Sequence, residues 1–189
     1  MQGMHSYAVN NDRLKWYVAI GIICAILTPV IHTWIEGKLD LAWMEPWVSA
    51  GVSFASLYAL LFALFNKFLW KLKFLQNFGL PMTTNLNGAY EGVLTSSYKD
   101  TKVNIQLEIT QTWTKIVVYL VTETTSSDSY SYMASIFDID GKSSILSYSY
   151  TNTPFDAIAD PDMRPHDGTV NLVFRSGGKI VGKYFNARQ

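Results

Sequence analysis

The residues best suited to chemistry in this chain are hydroxyls and aromatic rings, and they gather in its second half. Thr122-Glu123-Thr124-Thr125-Ser126-Ser127-Asp128-Ser129-Tyr130-Ser131-Tyr132 is rich in hydroxyls, and Ser147, Tyr148, Ser149, Tyr150, Thr151 and Asn152 extend the theme. Such groups recognise rather than react. Tyr and Trp offer stacking faces to planar rings, while Ser, Thr, Asn and Gln offer hydrogen bonds to ring edges and phosphates. Most of these hydroxyls are expected to be an ordinary solvated strand face.

Catalytic groupings are weak by comparison. Asp138/Asp140 and Asp160/Asp162 are spaced carboxylates, but both pairs fall in turn-like or loop sequence, where Asp caps the backbone locally. His166 has no His or Cys at ligand spacing, so a metal site is not expected. No Gly-x-Ser-x-Gly, Walker or dinucleotide glycine signature occurs. The expectation is a binding protein without catalytic residues, metal or cofactor.

From Thr84 onward the chain carries nine Lys/Arg and eleven Asp/Glu. A slightly acidic domain lacks the basic face that a nucleic-acid polymer requires. Cys24 is the only cysteine, which excludes a disulfide framework or a Cys-based zinc site within one chain.

The elements that must position these groups read as strands. Leu86 to Tyr98 is the first. Val103, Ile105, Leu107 and Ile109 alternate with polar residues, and Gln111 and Trp113 continue in phase. Ile116 to Thr124 follows. Tyr130 to Ile139 and Ser144 to Thr151 flank Asp140-Gly141, and Val170 to Phe174 and Lys179 to Ala187 flank Ser176-Gly177-Gly178, which are two hairpin signals. Seven to eight antiparallel strands with tight turns predict a compact closed β-barrel, because closure removes exposed edges. Polar outward positions argue against a membrane-spanning barrel. Asn152 to Gly168, which carries Phe155, Met163 and Arg164, is long for a barrel connection and reads as a lid.

The first part of the chain is different. Trp16 to Ile35 and Trp47 to Trp70 are apolar runs long enough to cross a bilayer as helices. The link between them is acidic on balance and their outer flanks are basic: Arg13 and Lys15 before, Lys67, Lys71 and Lys73 after. The positive-inside rule then places both termini in the cytoplasm. Gly51, Ala55, Ala59 and Ala63 recur every four residues, a small-residue stripe that lets helices approach closely, either within the hairpin or between chains. The expected organisation is a transmembrane hairpin over 1–80, with spans near 16–35 and 47–70, and a cytoplasmic barrel over 81–189. Lys71 to Thr84 would join the two.

Gly88-Ala89-Tyr90 and Arg188 resemble the Gly-x-Trp and closing arginine of calycin barrels, which implies that Tyr90 and Arg188 plug one barrel end by a cation–π contact. Over its whole length the chain resembles the membrane effectors of bacterial cyclic-oligonucleotide-based anti-phage signalling (CBASS). These are CD-NTase-associated proteins with two transmembrane helices and a cytoplasmic β-barrel, the SMODS-associating two-TM β-strand-rich effector domain. The resemblance rests on 86–98 (LNGAYEGVLTSSY), 111–116 (QTWTKI), the Ser-rich run after Thr122, 148–154 (YSYTNTP), 166–169 (HDGT) and 182–188 (GKYFNAR), in that order behind two apolar runs. Tyr90 departs from it, since Trp is expected there.

The resemblance implies a barrel that binds a cyclic dinucleotide from a cognate CD-NTase. Binding would drive oligomerisation of the transmembrane segments, disruption of the bacterial inner membrane and abortive infection by cell death. On that expectation Trp113 and Tyr150 are the stacking surfaces, Gln111, Ser129 and Asn152 the polar readers, and Arg175 the phosphate partner. The alternative is a membrane-tethered, calycin-like carrier or sensor of a lipid or other apolar molecule.

Overall fold

The computed structural model describes residues 3–36, 46–72, 74–75, 82–95, 102–122, 127–139, 143–154 and 165–186. They form two compact units. One is Asn11–Met82, and the other joins Met1–Asn10 to Thr83–Gln189. The residues before Asn11 thus belong with the sheet, where the sequence reading placed all of 1–80 in the hairpin.

The sheet unit contains β1 (His5–Val9), β2 (Gly88–Thr95), β3 (Lys102–Gln111), β4 (Lys115–Thr122), β5 (Ser127–Asp138), β6 (Ser144–Pro154), β7 (His166–Phe174) and β8 (Ile180–Asn186). Their spatial order is β2-β3-β4-β1-β5-β6-β7-β8. From β2 to β8 the neighbours are sequential antiparallel hairpins. The exception is the N-terminal strand, which is antiparallel to β4 and parallel to β5.

β4 and β5 pair directly only over Tyr119–Val121 and Asp128–Tyr130. Beyond that they separate, and β1 fills the gap, matching His5 to Ile116 and Tyr7 to Ala134. The bulge between Ser131 and Met133 stands where β5 changes partners, and such a bulge bends and twists the strand locally. Inside the fork, the Ser131 hydroxyl accepts the Val118 N–H at 2.9 Å and lies 2.8 Å from His5 Nε2. A donor with no ladder partner is satisfied there by a side chain.

Among the described residues no ladder joins β2 to β8. The sheet is a curled, open half-barrel, not the closed, wholly antiparallel barrel expected. The eighth strand comes from the N-terminus and enters the middle of the sheet instead of sealing its edges. Curling still brings distant strands together, since the Tyr90 and Phe174 rings meet edge-on at 5.6 Å. The core on the inner face is built from Tyr7, Leu107, Ile109, Ile116, Val118, Ile136, Leu146 and Val170, all buried. This is the alternation read from the sequence, with one face of each strand turned inward.

The other unit has two helices, α1 (Leu14–Glu36) and α2 (Pro46–Lys67), and a short turn at Leu69–Lys71. Asp12 caps α1 by accepting the Leu14 N–H at 3.0 Å. The segment Leu14–Trp34 is long and apolar enough to cross a membrane, while the described apolar part of α2, Ser53–Lys67, is shorter. The helices meet through aromatic side chains: Trp16 on Phe65 at 4.6 Å and Tyr17 on Phe62 at 5.5 Å. Gly21 passes beside Tyr58. Ala55, Ala59 and Ala63 are exposed on α2.

Candidate ligand-binding face

β6 alternates strictly. Ser144, Leu146, Tyr148, Tyr150 and Asn152 are buried on the inner face. Register carries the alternation to its neighbours: Asn152 lies opposite Ser129 on β5 and His166 on β7, and Tyr150 lies opposite Ser131 and Gly168. At the other end Ser144 lies opposite Asp138 and Phe174. The inner face therefore has an apolar middle and two polar ends, separated along β6 by about 26 Å for eight residues.

The first polar end gathers three of the residues chosen from sequence. Ser129 donates its hydroxyl to Asn152 Oδ1 at 3.1 Å. Tyr150, which is 8% exposed, has its ring 6.5 Å from His166 and 6.3 Å from Tyr148. Gly168 makes room for that ring, because a Cβ at this position would lie 2.5 Å from Tyr150 Cζ and 2.6 Å from the Phe185 carbonyl oxygen. Thr122 and Ser127 close the same end, their hydroxyls 3.4 Å apart. Burial pushes the Tyr148 hydroxyl pKa upward, with the neighbouring Tyr150 adding to it.

Gln111 and Trp113 stand elsewhere. Gln111 accepts the Leu86 N–H at 2.8 Å and donates to Tyr7 Oη at 2.9 Å and to the Thr84 carbonyl at 3.2 Å. Tyr7 in turn donates to the Trp113 carbonyl at 3.0 Å. Trp113 is 0% exposed. Both residues tie β1 and the entry to β2 onto the β3–β4 hairpin.

Arg175 occupies the second polar end, at the β7–β8 turn. Thr84, Leu86, Tyr90, Ser144, Phe174, Arg175 and Lys179 line a pocket of about 250 Å³ there. Behind it the Asp138 carboxylate accepts hydrogen bonds from Thr84 and, at 2.8 Å, from Ser144. Those two hydroxyl oxygens are 2.7 Å apart. Both breaks between the units fall at this end: Asn10 is bonded to the Asp138 main chain, and Thr84 to its carboxylate.

Of the six residues chosen from sequence, Ser129, Tyr150 and Asn152 lie at one end of the inner face, and His5, Thr84, Ser144 and Phe174 were not among those chosen. Counting outward from Asp140-Gly141 as a two-residue turn pairs Asp138 with Ser143, one residue short of its observed partner Ser144. No local pattern marks His5, because its partners are more than a hundred residues away. Tyr90 packs on Phe174 and donates to the Leu86 carbonyl at 3.0 Å, and burial pushes its hydroxyl pKa upward. Its expected partner Arg188 lies outside the described residues, as do Phe155, Met163, Arg164, Asp140 and Gly141. Among the described residues no group of three or more His, Cys, Asp or Glu could hold a metal ion.

The chain is also similar to known proteins. The chain is 28% identical over 196 residues to CD-NTase-associated protein 15 of Yersinia aleksiciae, covering 97% of this chain and 91% of that protein. No solved structure matches it significantly. Residues 81–189, which span β2 to β8, match the family model described as Cap15, cyclic dinucleotide receptor domain. By that match over more than half its length, the chain belongs to the Cap15 cyclic dinucleotide receptor domain family.

Proposed function

We propose that this chain is a membrane-anchored, non-enzymatic receptor. Its sheet unit binds a cyclic dinucleotide made by a cognate CD-NTase, and binding leads to self-association, inner-membrane disruption and death of the infected cell. The observation that carries the reading is the family match over 81–189. The relative's name, CD-NTase-associated protein, supports the source of the ligand.

Within the sheet, the polar end at Ser129, Tyr150 and Asn152 offers the hydrogen-bonding and ring surfaces that nucleobase recognition uses. His166 and Ser127 extend it. Gln111 and Trp113 hold β1 and the entry to β2 on the β3–β4 hairpin, at the opposite end of the sheet. Arg175 serves phosphate at the opposite end, too far along the sheet to share one compact ligand with Asn152. The carrier alternative draws support from the apolar middle of the inner face, but Ile116, Ile136 and Leu146 are packed to 0–1% exposure there, which leaves no channel for an acyl chain among them.

α1 and α2 serve as two membrane spans. That β1 precedes α1 while β2 follows α2, both in one sheet, supports a hairpin with both ends on the cytoplasmic side. The exposed stripe of Ala55, Ala59 and Ala63 supports contact between chains. Ligand binding would reach the helices by two connections, the short one through Asn10 to Arg13 and the longer one through Lys71 to Thr84.

Expressing the chain in bacteria with and without a cyclic-dinucleotide synthase tests the membrane part of this reading. Uptake of a membrane-impermeant dye should require both proteins. Unimpaired growth and no dye uptake, with ligand demonstrably bound, would limit the protein to sensing.

A further inference from the structure

The second polar end has the makings of a site in its own right. Its pocket, about 250 Å³, falls just below the roughly 300 Å³ at which pockets for whole drug-sized ligands begin. It is therefore small for a complete cyclic dinucleotide but suited to one ring with one phosphate. No acidic side chain is among its lining residues, while Arg175 and Lys179 are. The two cations flank the β7–β8 turn, where Gly177 and Gly178 have φ of 97° and 79°. The closed turn, with the Arg175 N–H donating to the Lys179 carbonyl at 3.0 Å, keeps the two residues paired.

The walls decide what else the ligand must be. Tyr90 and Phe174 present an aromatic corner, edge to face at 5.6 Å. Beneath it Leu86 and Leu146, exposed 2% and 0%, seal the core, so an alkyl tail has nowhere to run. The Thr84 and Ser144 hydroxyls direct their protons to Asp138, which leaves oxygen lone pairs to accept from a ligand N–H. Cations at the rim, a flat apolar corner and hydroxyl acceptors fit a phosphorylated heterocycle.

We propose that the Tyr90–Phe174–Arg175–Lys179 pocket binds one nucleotide unit, its base against the aromatic corner and its phosphate on the two cations. This site is distinct from the Ser129–Tyr150–Asn152 end. The proposal takes its ligand class from the receptor reading above but does not depend on where a cyclic dinucleotide sits. The unit can come from a free mononucleotide or from one half of a cyclic dinucleotide. Because Thr84 and Ser144 share Asp138, and Asp138 also holds Asn10, occupancy is felt where the chain leaves the sheet in both directions.

The test uses full-length protein in detergent, titrated calorimetrically with AMP, GMP, and cyclic di-AMP, cyclic di-GMP and cyclic GMP-AMP. The variants are Arg175→Ala with Lys179→Ala, both on exposed turn positions that should not disturb folding, Lys183→Ala on β8, and Asn152→Ala at the other end. Mononucleotide affinity should fall about tenfold or more in the double variant, the size of a lost charged hydrogen bond, and stay unchanged in Lys183→Ala, which removes an exposed β8 cation outside the pocket; Asn152→Ala is read with the cyclic dinucleotides. A cyclic dinucleotide weakened by the double variant alone would also support the pocket, and would count against the Ser129–Asn152 placement. If mononucleotides fail to bind, or bind the double variant as tightly as the parent, the pocket proposal is overturned while the receptor reading stands. Phosphate-bearing vesicles that compete with AMP only through charge, with inorganic phosphate equally effective, would overturn the base-recognition half.

Discussion

Asn10 and Asp138 are joined by a reciprocal pair of hydrogen bonds. The Asn10 amide donates to the Asp138 carbonyl at 2.9 Å, and its oxygen accepts the Asp138 N–H at 3.1 Å. A side chain thus continues the β1–β5 pairing one step past the last backbone pair, Val9 with Ile136. Asp138 turns its carboxylate the other way, toward Thr84 and Ser144. One residue therefore pins both the strand that leads into α1 and the segment that returns from α2.

Asn10→Ala should loosen the first of these connections without removing a side chain that lines either polar end. Both bonds are solvent-exposed, so the cost to the sheet unit should be about 1 kcal/mol, read by urea unfolding. Ligand affinity should stay within about twofold while ligand-triggered dye uptake falls. Unaltered dye uptake would mean that the α1 connection carries no signal.

β1 should matter more to stability than its length suggests. A chain beginning at residue 81 lacks the strand that fills the β4–β5 fork, and its Ser131 loses His5. We expect it to unfold at lower temperature than full-length protein, and a peptide of residues 3–11 added in trans to restore part of the loss. In the full chain Ser131→Ala should cost about 2 kcal/mol, because it strands the buried Val118 N–H. Equal melting with and without the peptide would show that the fork closes unaided.

Gly168→Ala should be poorly tolerated, by about 2 to 3 kcal/mol. The added methyl meets both a ring atom of Tyr150 and the fixed carbonyl of Phe185. Tyr150→Leu in the same chain should relieve only the first clash. Full recovery of thermal stability in that double variant would argue that the β7–β8 backbone yields freely.

Alkaline stability follows from the tyrosines. Burial raises the Tyr148 and Tyr90 hydroxyl pKa values above the ordinary value of 10.0. The folded sheet thus favours the neutral phenol, and its contribution is complete below pH 10 and lost as pH rises beyond it. Unfolding followed from pH 8 to 12 should show stability falling only above about pH 10, and less so in Tyr148→Phe. A decline already complete at pH 9 would point to other groups.

Much of this fold is legible locally. The period-2 pattern of β3 and β6 gives their inner faces, and the Ser176-Gly177-Gly178 signal gives the β7–β8 turn. The open edge and the insertion of β1 are not legible, because nothing within His5–Val9 records a pairing with Ile116 and Ala134. The same holds at the site. Ser129, Tyr150 and Asn152 are neighbours in register, whereas the Gln111 amide is spent on Leu86, Tyr7 and Thr84 and the Trp113 ring is buried. Stacking and hydrogen-bonding residues look alike in sequence whether they meet a ligand or their own backbone.

The stripe on α2 separates sensing from response. Ala59→Leu widens an exposed helix face, so it should leave ligand binding intact and abolish killing. Retained killing in cells, at equal expression, would place the response elsewhere than on that face.

Equilibrium binding to purified full-length protein, with particle size followed in parallel, tests the central claim most directly. Presented with cyclic di-AMP, cyclic di-GMP and cyclic GMP-AMP, the protein should bind at least one, lose most of that affinity in Ser129→Ala with Asn152→Ala, and grow in assembly size when ligand is bound. Failure to bind any of them, with no change in size, would contradict the account.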